Sequence, residues 1–237
     1  MRLEVILAAA LTLTGPSGMA VAQVYPAAFE PGSLADPEIK ALRKAMIAGN
    51  DLSKASLRRI ADAGDGLAAF KFADRLERDG GKWSDIAHYY AIAVYTGRDF
   101  VTRRLVTLVK THDSDIAGLS TLRRKSLEDA LLAASARGNR DAALALSDLY
   151  SEGTAFGAKP DKAARLLSPF AKEGDGAVAL KLALLAIGSD PANPVDANTA
   201  RTMLNLALTS DDLAASSMAT NLLPLLPAET DPEGATP

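Results

Sequence analysis

The chain of 237 residues contains no cysteine, and this absence excludes several kinds of chemistry. Without a thiol there is no disulfide framework, no thiolate metal ligand, no cysteine nucleophile and no cysteine to carry a lipid anchor. Histidine is nearly absent as well, because only His88 and His112 occur. The side chains that most often transfer protons or bind transition metals are therefore scarce.

A strong charge of one sign is also lacking, since the formal net charge is -3. Because there is no basic field of the kind that attracts nucleic acid, no nucleic-acid partner is expected. Aromatic residues make up 5% of the chain, whereas hydrophobic residues make up 48%. Most of the apolar content is alanine and leucine, which favour helices, and strand-like alternation is almost absent. The composition predicts an all-α fold.

Three segments are predicted to lie outside the folded domain. Residues 1–22 have the layout of a secretory signal peptide, in which an apolar stretch too short to span a bilayer precedes Ala20-Val21-Ala22. Residues 23–36 are predicted to be a flexible leader, and residues 224–237, which are acidic and rich in proline, a disordered tail. A signal peptide with no further membrane span predicts a periplasmic protein, with secretion from the cell as the alternative.

Between these segments, residues 37–223 alternate between helical patterns and breaks that contain glycine. The first helix begins at Asp36-Pro37-Glu38, which supplies an N-cap, a proline in the first turn and an acid. It ends at Gly49-Asn50, and a second helix begins near Ser53. The helices predicted after these are Leu67–Glu77, Trp83–Tyr95, Phe100–Lys110, Leu122–Ala136, Asp141–Ser151, Asp161–Lys172, Ala177–Ile187, Asp196–Leu208 and Leu213–Leu223.

The glycines that end these helices recur at intervals. Gly64, Gly97, Gly138 and Gly174 are each followed within two residues by Asp or Asn, and their spacings are 33, 41 and 36 residues. Glycine permits the left-handed conformation that closes a helix, and Asp or Asn can cap the next helix. Periods of this size are typical of stacked helix pairs. The pattern predicts an α-solenoid of about five antiparallel helix pairs plus a closing helix, and the alternative is an alanine-rich bundle.

The best-formed unit, residues 138–176, resembles a known repeat. The residues that carry the resemblance are Ala142 or Ala143, Leu146, Tyr150 and Gly153 in the first helix, and Asp161, Ala163, Leu166, Leu167, Ala171 and Gly174 in the second. Their spacing is similar to that of the Sel1-like branch of the tetratricopeptide superfamily, and the unit from residue 66 is similar to a lesser degree. Two departures are Ser147, where that family usually has glycine, and Pro169, which is predicted to kink its helix.

The resemblance implies a right-handed superhelix that assembles other proteins, often in cell-envelope or signalling complexes, including exopolysaccharide regulation or export. It also implies that one set of residues packs or ends the helices. These residues are Gly64, Gly97, Gly138, Tyr150, Gly153, Ala163, Ala171 and Gly174. The expected partner is a protein of the periplasm or envelope. The alternatives are an envelope hydrolase that acts on peptidoglycan or β-lactams, and a secreted factor that acts on a host or a competitor.

Motifs for catalysis or for cofactor binding are missing from the chain. There is no nucleophile elbow, phosphate loop, HExxH motif or dinucleotide fingerprint. A calcium loop beginning at Asp113 fails because Ala117 and Arg124 stand where oxygen ligands are needed. We therefore predict that the protein is not an enzyme, with no catalytic residue, no cofactor and no metal.

Basic and aromatic side chains cluster in residues 83–125, within and just before the irregular unit of 41 residues. Most of these aromatics are expected in the core, and basic clusters are usually solvated. An exposed aromatic beside arginine, however, is the composition of a protein-binding hot spot. The hypothesised protein-binding residues are Trp83, Tyr89, Tyr90, Arg103, Arg104, Arg123 and Arg124.

Overall fold

The computed structural model describes residues 36–189 and 194–227, and the regular structure within these ranges is entirely helical. The predicted all-α class is therefore confirmed. The signal peptide, the leader up to residue 35 and the tail from residue 228 lie outside the described residues. The tail was predicted to begin at residue 224, but a 3-10 turn covers Leu223–Leu225 and the described chain continues to Pro227.

The described residues form twelve α-helices. They are α1 (Pro37–Ile47), α2 (Lys54–Asp62), α3 (Gly66–Arg78), α4 (Trp83–Tyr95), α5 (Thr102–Thr111), α6 (Asp113–Ile116), α7 (Thr121–Ala136), α8 (Arg140–Glu152), α9 (Pro160–Lys172), α10 (Gly176–Ser189), α11 (Pro194–Leu208) and α12 (Leu213–Leu222). A second 3-10 turn, Asp99–Val101, precedes α5. The short helix α6 was not predicted; it lies in the spacer before α7 and buries Ile116 completely.

The helix-ending glycines share one local geometry. Gly64, Gly97, Gly138 and Gly174 have φ angles of 94°, 87°, 86° and 97°, in the left-handed region that glycine adopts without strain. At each, the glycine amide and the next amide donate hydrogen bonds back to carbonyls of the last helical turn, at 2.9–3.2 Å. This pair of bonds is the Schellman motif, which satisfies carbonyls that the helix end leaves free.

The residue after the glycine caps the next helix at three of these four positions. The side chains of Asp65, Asn139 and Asp175 each accept a hydrogen bond from the backbone amide three residues later, at 2.8–3.1 Å. Asp99 was expected to act in the same way but does not, because a 3-10 turn intervenes before α5. Its carboxylate instead binds Arg137, with Nη2 2.7 Å from Oδ1.

Most helices pack on the next one along the chain, and further contacts join helices that are two or three places apart. Helix α3 packs on α4, α8 on α9, and α10 on α11. Further contacts join α4 to α7, α5 to α8, and α10 to α12. The buried apolar residues form two clusters, one that includes Met46 and Ala163 and another that includes Ala143 and Ala219. Helix α8 supplies residues to both clusters and so connects them.

Two glycines that begin helices allow another helix end to approach closely. Gly66, the first residue of α3, lies against Thr96, and Gly176, the first residue of α10, lies against Ser210. The hydroxyls of Thr96 and Ser210 donate to carbonyls of the preceding turn at 2.8 and 2.7 Å. The sequence interpretation treated Gly174-Asp175-Gly176 only as a helix stop. It therefore missed this contact, which occurs at the start of α3 and again at the start of α10.

The most apolar helix, α10, has one charged side chain, Lys181, and packs against α9, α11 and α12. A helix that is apolar on nearly all sides is expected to be covered by neighbours on more than one side, and these contacts agree with that. The helix before it, α9, runs from Pro160 to Lys172 through Pro169 without interruption. No helix in the described part of the chain is both long enough and apolar enough to cross a membrane.

Asp175 joins a helix cap to an ion pair, and its ionisation should stabilise the fold. Arg140 donates from Nη2 to Oδ1 of Asp175 at 3.1 Å, and this hydrogen bond is the main cause that lowers the pKa of Asp175. A folded-state pKa below the unfolded value gives stability that is present above about pH 4 and is lost as the pH falls through the folded pKa. We expect the free energy of unfolding of Asp175→Asn to decline less steeply than that of the wild type in urea titrations below about pH 4.

Asp211→Asn is the matched control for this titration, because Asp211 is exposed and Asp212 is the residue that caps α12. Its stability curve should follow that of the wild type. Parallel curves for the wild type and Asp175→Asn would show that Asp175 does not contribute to the acid sensitivity.

Candidate protein-interaction surface

Two of the hypothesised binding residues lie in the core. Tyr89 and Tyr90 are 6% and 0% exposed, and their hydroxyls donate to Asp62 and Glu77 at 2.7 and 2.8 Å. Burial, together with these hydrogen bonds to carboxylates, raises the pKa of both tyrosines to about 12, so both hydroxyls stay protonated. In this fold neither ring is available to a partner, and both tyrosines are removed from the hypothesised surface.

Trp83 packs at the junction of α4 and α6. Its ring stacks on His112, with centroids 4.4 Å apart and planes inclined by 7°, and it is partly buried. The Nδ1 atom of His112 lies 3.3 Å from a carboxylate oxygen of Asp115. Within residues 36–189 and 194–227, no group of three or more His, Asp or Glu side chains is arranged to hold a metal ion.

Two of the four arginines form contacts within the chain that join helices. Arg104 on α5 donates to Asp74 at 2.8 Å and to the hydroxyl of Tyr90 at 3.0 Å. Arg123 on α7 donates to the carboxylate of Asp85 at 2.8 Å and also to the carbonyl of Ser84 at 2.9 Å. Both guanidinium charges are therefore compensated, and we assign these two arginines mainly to the packing of α5 and α7.

A cluster of exposed side chains lies where α5 begins. The ring of Phe100 is 65% exposed and touches Phe70 edge-on, with centroids 5.0 Å apart. The side chain of Arg103 is 87% exposed, and Asp141 lies at the limit of an ion pair, 4.0 Å away. The guanidinium of Arg104 lies 5.8 Å from the centroid of the Phe70 ring. We call Phe70, Phe100, Arg103 and Arg104 the Phe100 surface.

The hypothesis from the sequence did not include Phe100, although the sequence contains the information needed to find it. Val101, Leu105 and Val109 are fully buried, at intervals of four residues. Phe100 stands one position before this buried stripe and is therefore turned away from the core. The sequence analysis began the helix at Phe100 and so counted this residue with the apolar face. The buried face in fact begins at Val101.

A second group of polar side chains surrounds a shallow, open depression where α7 begins. The depression has a volume of about 310 Å³, and its lining residues are Thr121, Arg124, Lys125, Glu128, Ala155 and Phe156. The Nε atom of Arg124 is shielded from solvent and has no hydrogen-bond partner among the residues that the structure describes. Of the four arginines in the hypothesis, Arg103 and Arg124 thus have the fewest contacts within the described chain.

Comparisons of the chain with protein-family models, with curated proteins and with solved structures find no match. The resemblance to Sel1-like repeats therefore stays a prediction from the residues that carry it.

Proposed function

We propose that the protein is a non-catalytic scaffold of Sel1-like helix pairs that binds another protein through the Phe100 surface. In this proposal residues 37–223 form a right-handed α-solenoid, and the protein acts in the periplasm after removal of residues 1–22. Its partner belongs to a cell-envelope or signalling complex. A role in exopolysaccharide regulation or export would be one instance.

Two features of the packing support stacked repeats. Four helix ends share the same glycine geometry, and three of them lead directly into a helix capped by the next residue. In addition, contacts join helices two or three places apart in chain order, such as α5 with α8 and α10 with α12. Stacked helix pairs produce such contacts, because each pair packs on the pair before it and the pair after it.

The observation that carries the functional proposal is the exposure of Phe100. Burying an apolar ring against a partner is favourable, and for a ring that is 65% exposed the gain is about 1–2 kcal/mol. The guanidinium of Arg103, which is 87% exposed and three residues after Phe100, provides directional hydrogen-bond donors and charge, whereas that of Arg104 is already paired with Asp74. Aromatic and arginine side chains together dominate the energetics of many protein interfaces.

We expect Phe100→Ala to reduce capture of the partner about tenfold while the melting temperature stays within a few degrees of the wild type. The ring is mostly in solvent, so its loss removes little packing within the fold. The measurement is affinity capture from envelope extracts of the source organism, with the tagged mature chain from Gln23 and quantitative mass spectrometry of the bound proteins.

Leu184→Ala is the matched control, because Leu184 is also a large exposed apolar side chain, at 44%, but lies on α10. It should capture the same proteins as the wild type in the same amounts. Equal capture by Phe100→Ala and the wild type would remove the Phe100 surface as the binding site. Arg104→Ala is not a clean test, since it also removes the hydrogen bonds that join α5 to Asp74 and to the hydroxyl of Tyr90.

A further inference from the structure

The depression at the start of α7 combines an uncompensated guanidinium with an apolar wall. We propose that it binds an acidic residue of the partner protein, an aspartate or glutamate side chain next to an aliphatic residue. This inference rests on the proposed role in protein binding, but it concerns a surface other than the Phe100 surface.

The charges around the depression leave Arg124 as the group without a counterion. Glu128 accepts hydrogen bonds from Lys159 at 2.7 Å and from the hydroxyl of Tyr150 at 2.5 Å, so its negative charge is compensated. Lys125 binds Asp129, with Nζ 2.6 Å from Oδ2. Arg124 forms no ion pair with any residue in the described ranges. The local field at the depression is therefore positive, despite the carboxylate in its lining.

The shape of the guanidinium suits a carboxylate. Its Nε atom is buried, whereas its two terminal nitrogens are not among the buried unpartnered atoms and form no hydrogen bond within the described ranges, so they face solvent. A carboxylate can accept from both terminal nitrogens together, and such bidentate geometry distinguishes arginine from lysine. A ligand carboxylate would thus supply the counterion that the described chain does not give to Arg124.

The wall beside Arg124 is apolar and held in place. Ala155 is 1% exposed, and the ring of Phe156 is partly buried with one edge against Tyr150, at 6.5 Å between centroids. Tyr150 is in turn held by Glu128, so the wall and the compensated carboxylate form one unit. An aliphatic side chain next to the acidic residue would cover the accessible part of the Phe156 ring and remove apolar surface from water, which a polar neighbour would not do.

The depression and the Phe100 surface lie toward opposite ends of α7. Arg137, the residue after α7, binds Asp99, which is adjacent to Phe100 in the chain. Arg124 precedes Arg137 by 13 residues, which corresponds to about 20 Å along a helix. Substitutions at one surface therefore leave the other unchanged, and the two proposals can fail independently.

The test is a titration of the mature protein with the peptide acetyl-Leu-Asp-Leu-amide, followed by two-dimensional NMR of backbone amides and arginine Nε–H groups. We expect saturable shifts at Arg124 and Phe156, and none with acetyl-Leu-Asn-Leu-amide. Arg124→Gln should raise the dissociation constant at least about fivefold. Arg124→Lys should give an intermediate value, because lysine keeps the positive charge but lacks the two parallel N–H donors of the guanidinium.

Arg103→Gln is the control, since it removes an exposed arginine from the Phe100 surface and should bind the peptide as the wild type does. Equal binding by Arg124→Gln and the wild type would overturn the inference. So would an absence of shifts near Phe156 at about 10 mM peptide. Neither result bears on Phe100, whereas normal partner capture by Phe100→Ala would contradict the proposed site and leave the peptide result standing.

Discussion

Leu146→Ala is expected to lower the free energy of unfolding by about 3 kcal/mol, whereas Leu144→Ala on the same helix should lower it by about 1 kcal/mol. Leu146 is 0% exposed and belongs to the larger buried cluster, to which α8 also contributes Leu149 and Tyr150. Removing three buried carbon atoms costs their transfer free energy plus the cavity that the neighbouring helices cannot close. Leu144 is only partly buried, so part of its side chain already contacts water and the space left by its removal opens to solvent.

The comparison is informative because both substitutions are Leu→Ala in α8, and the change in helix propensity therefore cancels. Urea denaturation followed by circular dichroism at 222 nm measures both values. A cost at Leu146 equal to that at Leu144 would contradict the complete burial of Leu146 in the larger cluster.

Gly176→Ala should destabilise the protein by about 2 kcal/mol, whereas Gly188→Ala in the same helix should stabilise it by up to about 1 kcal/mol. A β-carbon on Gly176 would lie 2.6 Å from the β-carbon of Ser210 and 3.3 Å from that of Asp212, so the end of α11 would have to shift. A β-carbon on Gly188 would meet nothing within 4 Å. There the intrinsic preference of alanine for helices decides the sign.

The measurement is again the free energy of unfolding from urea titrations of the two single variants. Opposite signs for one substitution at two positions of one helix would show that close approach at Gly176, and not helix propensity, is the cause. A stabilising effect at both positions would contradict the close contact with Ser210.

Local chemistry accounts for how much of the fold could be predicted. The break at Gly64-Asp65 needs only a glycine for the left-handed turn and an oxygen for the next free amides, and both are visible in the sequence. The break at Gly97 also has a glycine followed by an aspartate, yet Asp99 forms an ion pair with Arg137 and does not cap the next helix. Arg137 is 38 residues away in the chain, so no local pattern reveals it. Helix α6 was missed for a related reason, since a single turn has little propensity of its own and depends on the burial of Ile116.

The candidate sites depended even more on contacts that are distant in the chain. Residues 83–125 are visibly rich in arginine and aromatic side chains, but the sequence does not separate the roles of these side chains. Tyr90 and Phe100 are both aromatic residues in one short stretch, yet one is 0% and the other 65% exposed. The difference arises because neighbouring helices cover the ring of Tyr90 but leave most of the Phe100 ring in solvent.

What the sequence by itself determined is the all-α class, the positions of most helices and the glycine stops between them. These depend on interactions within about one turn of the chain, which composition and spacing record directly. Only the tertiary structure decided that Arg104 and Arg123 are compensated while Arg124 has no ion pair within the described chain, and that Gly176 is a point of close approach. Charge compensation and steric contact are pairwise properties, and in this chain the partners stand some 30 residues or more apart.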